Sequence, residues 1–187
     1  MTPSLVTLVV VGSACVYFIV ALALRARAVR ERGPSIRRIG GLPRTLPYFV
    51  WVPYAVVALR LGPETELPEP VRWAGLGIAV AGIAFAIWAA LTLGRHFDME
   101  VEVHGGHEVI TSGPYAIVRH PVYSGLALQF LGACLATGNW LLVLGTLLMS
   151  FPAFWYRARA EERLLERELP AYAEYARRVG MLLPGIR

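Results

Sequence analysis

The chain has 187 residues, 56% of them hydrophobic and only 17% charged, with a mean hydropathy of +0.53. That balance excludes disorder, a collagen repeat, a disulfide scaffold and an ordinary soluble globule, and fits a polytopic membrane protein. The net charge is +5 and all 18 basic residues are arginine, yet they do not interleave with exposed aromatics, so no nucleic-acid partner is expected.

Ser4 to Leu24 carries no charge and, at roughly 20 residues, is long enough to cross a hydrocarbon core, giving a first spanning helix. Arg25 to Arg44 is arginine-rich and broken by Gly33, Pro34, Gly40, Gly41 and Pro43, which predicts a loop at the membrane surface. Thr45 to Leu59 is a shorter apolar stretch containing Pro47 and Pro53, read as a kinked or tilted second span. After a proline-rich acidic segment (Glu64, Glu66, Glu69), Trp73 to Gly94 gives a third span. Its GLGIAVAG string is not a dinucleotide fingerprint, since no strand precedes it; small residues there let neighbouring backbones approach. Cys15 and Cys134 each lie inside an apolar run and read as packing residues.

Arg95 to His120 is the most polar internal segment. Pro121 to Tyr156 is then interrupted only by Gly138 and Asn139, which predicts a helical hairpin of two spans, Pro121 to Thr137 and Trp140 to Tyr156, the second kinked at Pro152. From Arg157 the chain turns charged, with Leu164, Leu165 and Leu169 on one side of an amphipathic helix that stops at Pro170. The expected fold is an all-α integral membrane protein in a single domain, 1–187. About five transmembrane helices are expected, three in residues 1–94; residues 95–187 hold the polar loop, the hairpin and the amphipathic C-terminal helix.

Arginines fall seven in loop 25–44, two in 95–120 and seven in 157–187, against only Arg60 and Arg72 on the other side. Because cytoplasmic loops retain basic residues, the N-terminus is expected outside and the C-terminus in the cytoplasm. The polar loop and charged tail then share one cytoplasmic face, where they can build one pocket.

The loop from His107 to Gly125 reads HEVITSGPYAIVRHPVYSG, two histidines, two tyrosines and an arginine just before a spanning helix that opens at Pro121. On the tail, Arg157 and Glu161 lie one turn apart, followed by Glu162. His104 and His107 have no second pair of ligands, so no metal is expected.

At these residues the sequence resembles the isoprenylcysteine carboxyl methyltransferase family, membrane enzymes related to phospholipid N-methyltransferases. The resemblance covers roughly the last half of the chain and rests on GPYxxVRHPxYxG (Gly113 to Gly125), a hairpin, the paired Glu161 and Glu162, and YAEYARRV. It implies S-adenosyl-L-methionine as cofactor, with His107, Glu108, Val109 and Ile110 along it in a strand-like loop. Tyr115, His120, Pro121, Val122 and Tyr123 are its implied main contacts. Glu161 is implied to hold the cofactor's ammonium group with Glu162 beside it, and Arg157 to orient the acceptor. The sequence departs from the family before the paired tyrosines, where Leu169, Pro170 and Ala171 replace the usual phenylalanine and glycine in one residue less.

A sulfonium methyl donor is already activated, so transfer needs positioning and exclusion of water more than a strong acid or base. A carboxylate acceptor needs only an arginine fork, whereas an ammonium acceptor must first lose a proton to a base such as Glu162 or His107. The arginine favours a carboxylate, as on an isoprenylated cysteine, with the lipophilic acceptor entering from the bilayer between helices. Amine N-methylation, thiol S-methylation, a nicotinamide-dependent membrane reductase and a non-catalytic scaffold or transporter stay open. Tyr172 and Tyr175 are expected to pack the tail against the headgroup region.

Overall fold

The computed structural model describes residues 3–31, 35–38, 49–98, 102–104 and 109–186. Helix α1 (Pro3–Glu31) runs past the expected end at Leu24. The extra turns are good arginine helix, closed by Arg27 Nε donating to Glu31 Oε1 at 2.7 Å one turn on. Strand β1 (Ser35–Arg38) follows, and α2 (Val52–Ala58) opens with Pro53 in its first turn. The rest of the expected second span, from Thr45 through Pro47, lies outside the described residues.

Helix α3 (Glu69–Leu93) starts four residues before Trp73, because Pro70 sits where a missing N–H costs nothing and Glu69 lies in the positive first turn. Strand β2 (Glu102–His104) pairs antiparallel with β1, Ser35 opposite His104 and Arg38 opposite Glu102. The all-helical expectation did not include this ribbon; it ties together the two polar loops that the arginine distribution assigned to one face.

Helix α4 (Pro121–Thr137) has the expected bounds. Gly138 turns the chain at φ +63°, and the Asn139 side chain caps the next helix by accepting from Leu142 N–H at 3.0 Å. That helix, α5 (Trp140–Glu168), is continuous, where a span ending at Tyr156 had been expected. Pro152 does not end it. Proline lacks the N–H owed to the Leu148 carbonyl, and the helix absorbs the defect in a widened turn over Thr146–Ser150. A true break comes at Leu169, extended at φ −126°, ψ 97° as befits a residue before proline, and α6 (Pro170–Arg178) follows.

Among the described residues, three helices are long and apolar enough to cross a membrane, Leu5–Glu31, Glu69–His96 and Trp140–Glu168, while Pro121–Thr137 is a shorter apolar helix. At 17 residues and about 1.5 Å per residue, α4 measures about 25 Å against a core of about 30 Å. The outward faces carry Leu8, Ile19, Trp88, Leu91 and Leu148, as expected of lipid-facing surface.

Inside, α3 and α4 meet along a seam of small residues. A Cβ on Gly82 would stand 2.6 Å from the Gln129 N and the Gly125 O, and one on Gly132 would stand 2.5 Å from the Gly75 O. Backbones this close are possible only without side chains, the packing expected of the glycines in GLGIAVAG. Gln129, fully buried on α4, donates from Nε2 to Ser13 Oγ at 3.0 Å and to the Val10 carbonyl at 3.2 Å, stapling α4 to α1. Phe130 anchors an aromatic core, edge-on to Tyr54 at 4.7 Å and near Trp51 and Phe154 at 5.8 Å each.

Candidate active site

One end of the bundle gathers most of the polar residues that the sequence singled out. The 3₁₀ turn Gly113–Ala116 is entered through Gly113 at φ +58° and buries Tyr115. His120 is buried directly before Pro121, and its side chain does not cap α4. It points instead at the glutamates of α5, with Nδ1 3.5 Å from Glu161 Oε2 and Nε2 3.5 Å from Glu162 Oε1. The ring stacks on Tyr123, centroids 5.7 Å apart, and Tyr123 stacks on Phe154 at 6.0 Å.

Arg157, one turn before Glu161, donates from Nε to the Tyr123 hydroxyl at 2.6 Å and to Glu161 Oε1 at 3.2 Å. The Tyr123 hydroxyl in turn donates to Glu161 Oε1 in a short hydrogen bond. Tyr123, Arg157, Glu161 and His120 therefore form one network across α4 and α5, with 22% of the Glu161 side chain still exposed.

Glu162 is a different kind of residue. Its side chain is 6% exposed and Arg119 grips it, Nε and Nη2 both 2.6 Å from Oε1, with Arg159 Nη1 3.6 Å from Oε2. The buried Arg119 also donates from Nη1 to the carbonyls of Ala176 at 2.7 Å and Val179 at 2.5 Å, capping the C-terminal end of α6. The segment beyond α6 is laced to the same loop. Arg119 N–H donates to Gly180 O at 2.8 Å, His120 N–H to Met181 O at 3.0 Å, and Ser124 Oγ to Leu182 O at 2.6 Å.

Burial works against a charged His120, but the Glu161 and Glu162 carboxylates on either side outweigh it and hold the imidazole pKa above its ordinary value. Tyr172 and Tyr175 are 3% and 4% exposed, turned into the protein and not toward headgroups. Tyr175 donates to the Tyr115 carbonyl at 2.6 Å, while the buried Tyr172 hydroxyl has no partner among the described residues. Burial raises the pKa of the Tyr175 phenol to about 12, so it stays protonated and a donor.

The structure thus brings together Tyr115, His120, Pro121, Tyr123, Arg157, Glu161 and Glu162. Val122 is half-buried and packs on the apolar core. Val109 and Ile110 are half-buried and form no strand, and His107 and Glu108 lie outside the described residues. Reading the sequence missed Arg119, although it stands inside the string GPYxxVRHP, and missed the closure by residues 176–186. An arginine set directly before the His120–Pro121 helix start was the available signal.

Comparison with known proteins bears on the same residues. The isoprenylcysteine carboxyl methyltransferase (ICMT) family matches residues 75–167. A probable protein-S-isoprenylcysteine O-methyltransferase of Oryza sativa subsp. indica is 32% identical over 129 residues, 67% of this chain and 68% of that protein. The protein-S-isoprenylcysteine O-methyltransferase of Xenopus laevis is 32% identical over 140 residues, 73% of this chain and 48% of that one. The cobalt-zinc-cadmium resistance protein CzcN of Cupriavidus metallidurans is 36% identical over 111 residues, 58% of this chain and 46% of that one. The chain belongs to the isoprenylcysteine carboxyl methyltransferase family.

Proposed function

We propose that this member of the isoprenylcysteine carboxyl methyltransferase family is a membrane methyltransferase that uses S-adenosyl-L-methionine to methylate a lipid-borne carboxylate, that of an isoprenylated cysteine or a close analogue. The observation that carries the reading is the division of labour between adjacent glutamates. Glu162 is neutralised by Arg119, whereas Glu161 keeps an exposed edge beside Arg157 and His120.

An exposed carboxylate held by three neighbours suits the ammonium of an amino-acid-like cofactor, which is the test of fit for S-adenosylmethionine here. When bound, that cofactor supplies an activated methyl group on a sulfonium. Glu161 holds the ammonium, the loop at Tyr115 and His120 forms the wall, and Arg157 orients the acceptor carboxylate and offsets its charge. The acceptor is anionic as it arrives, so no general base is needed. An amine acceptor would need one, and Glu162, already gripped by Arg119, is ill suited to that task.

The bilayer is the expected environment, with the acceptor reaching the site between helices and the donor arriving from the cytoplasm. Of 18 arginines, 16 lie in segments assigned to the cytoplasmic side. The pairing of β1 with β2 and the ties from Arg119 to the C-terminal segment support one common face for those segments. With five spans, this count puts the N-terminus outside and the C-terminus in the cytoplasm.

The test is calorimetric titration of the detergent-solubilised protein with S-adenosylmethionine and with NADPH, in wild type and Glu161→Ala, paired with transfer of labelled methyl to S-farnesylcysteine. Saturable binding of the sulfonium compound alone, lost in the variant, with label in a base-labile ester, is the expected result. Binding of NADPH instead would move the chain to the reductase class, and binding of neither by folded protein would leave a scaffold.

A further inference from the structure

Arg157 faces the site, but α5 carries a second line of arginines on its outer side. Leu147, Leu148 and Trp155 are exposed there, a face suited to lipid that ends in an aromatic of the kind that settles at the membrane interface. One turn on, the Arg159 guanidinium lies over the Trp155 ring, 5.5 Å from its centroid, with 45% of the side chain exposed. Arg163, also exposed, follows a turn later. The three side chains line the outside of one unbroken helix.

Arg159 is not consumed by the buried carboxylate beside it. Its Nη1 stands 3.6 Å from Glu162 Oε2, beyond hydrogen-bond distance, while Arg119 already holds Glu162 at 2.6 Å. The fully exposed charges of α5 are Arg159, Arg163 and Arg167 against Glu166 alone, so the face is cationic. Arginines one turn apart repel each other, and a phosphate set between them relieves that repulsion with a charge-assisted hydrogen bond from each guanidinium.

Distance decides which arginines a bilayer can use. At about 1.5 Å per residue, Arg159 stands about 6 Å and Arg163 about 12 Å along the helix from Trp155, and Arg167 about 18 Å. The headgroup layer adds about 5–8 Å to each side of the hydrocarbon, and attraction to an anionic leaflet fades over a further 8 Å or so. Arg159 and Arg163 fall within that reach and Arg167 lies past it.

We propose that Trp155, Arg159 and Arg163 form a binding surface for anionic phospholipids, the indole seated at the interface and the two guanidinium groups on the lipid phosphate. The surface lies on the outer side of the helix that carries Arg157 and Glu161, so the lipid it holds fixes the depth and tilt at which the site meets the membrane.

The experiment titrates the detergent-solubilised full chain with dihexanoyl phosphatidylglycerol and with dihexanoyl phosphatidylcholine, and counts retained lipid by native mass spectrometry, so methyl transfer does not enter the readout. One arginine near an anionic surface contributes about 5-fold in affinity, so Arg159→Gln combined with Arg163→Gln should weaken phosphatidylglycerol about 25-fold and leave phosphatidylcholine unchanged. Arg159→Lys combined with Arg163→Lys should keep most of the affinity. In about 1 M salt, where charges are screened over about 3 Å, the wild-type preference should vanish. Arg163→Gln alone, clear of Glu162, should lose about 5-fold and gives the same reading if the double variant melts early. Equal retention of the two lipids by wild type overturns the proposal. So does a preference that survives in the folded glutamine variants, which would place the lipid elsewhere, or a loss that the lysines share, which would make the arginines structural.

Discussion

Glu161 and Glu162 should separate cleanly when each is changed to alanine. Glu162 and Arg119 are 6% and 5% exposed, and both contacting guanidinium nitrogens stand 2.6 Å from the same carboxylate oxygen. Removing the carboxylate leaves Arg119 buried and uncompensated, a change that costs about 3–5 kcal/mol in comparable buried pairs. The carbonyls of Ala176 and Val179 still accept from Nη1, which places Glu162→Ala at the low end, about 3 kcal/mol. For a chain of this size that lowers the melting temperature by about 6–12 °C. Glu161→Ala leaves Arg157, itself 5% exposed, without its carboxylate, so it lowers the melting temperature as well, and donor affinity is what tells the two variants apart. Loss of one hydrogen bond to a charged ligand group, about 1.5–3 kcal/mol, weakens S-adenosylmethionine about 10- to 150-fold. Differential scanning fluorimetry and calorimetry on the same preparations read both quantities. A loss of donor affinity in a folded Glu162→Ala as large as that in Glu161→Ala would refute the assignment.

The α3–α4 seam predicts that Gly132→Ala is damaging, because the new Cβ would meet the Gly75 O at 2.5 Å; Gly77→Ala, with nothing within 4 Å, should be neutral in the same thermal assay. His120 has a raised folded-state pKa, so its contribution is complete below its unfolded value of about 6.5 and fades as pH rises through the folded value. The wild-type melting temperature should therefore fall relative to His120→Gln as pH rises above about 6.5, and a constant difference would show that no charge is involved. Arg157→Lys keeps a cation but loses both the Nε–H that bridges Tyr123 and Glu161 and the planar fork left for the acceptor, and kcat/KM for S-farnesylcysteine should fall about 10- to 100-fold. Full activity in that variant would remove the arginine from the mechanism.

Apolar runs made the helices legible, because length and hydropathy alone mark a segment that must satisfy its own backbone hydrogen bonds. The hairpin turn was legible for an equally local reason, a left-handed glycine at 138 followed by an asparagine cap. The continuous α5 was not. Hydropathy falls at Arg157, but helix propensity does not, and nothing local stops the helix before Pro170. Only the break at Leu169 and Pro170 ends it.

The site was legible as a set of residues and illegible as an arrangement. Neighbours on a helix project about 100° apart, and although His120 reaches both carboxylates, which of them is gripped by the loop arginine depended on Arg119, 43 positions from Glu162. A sequence read by local pattern treats that arginine as part of a loop and α6 as an amphipathic tail. The fold makes the arginine a cap for α6, a counter-charge for Glu162 and, through its backbone, an anchor for the segment at Gly180. Long-range pairing, absent from periodicity and spacing, decides which of two adjacent carboxylates is free to bind.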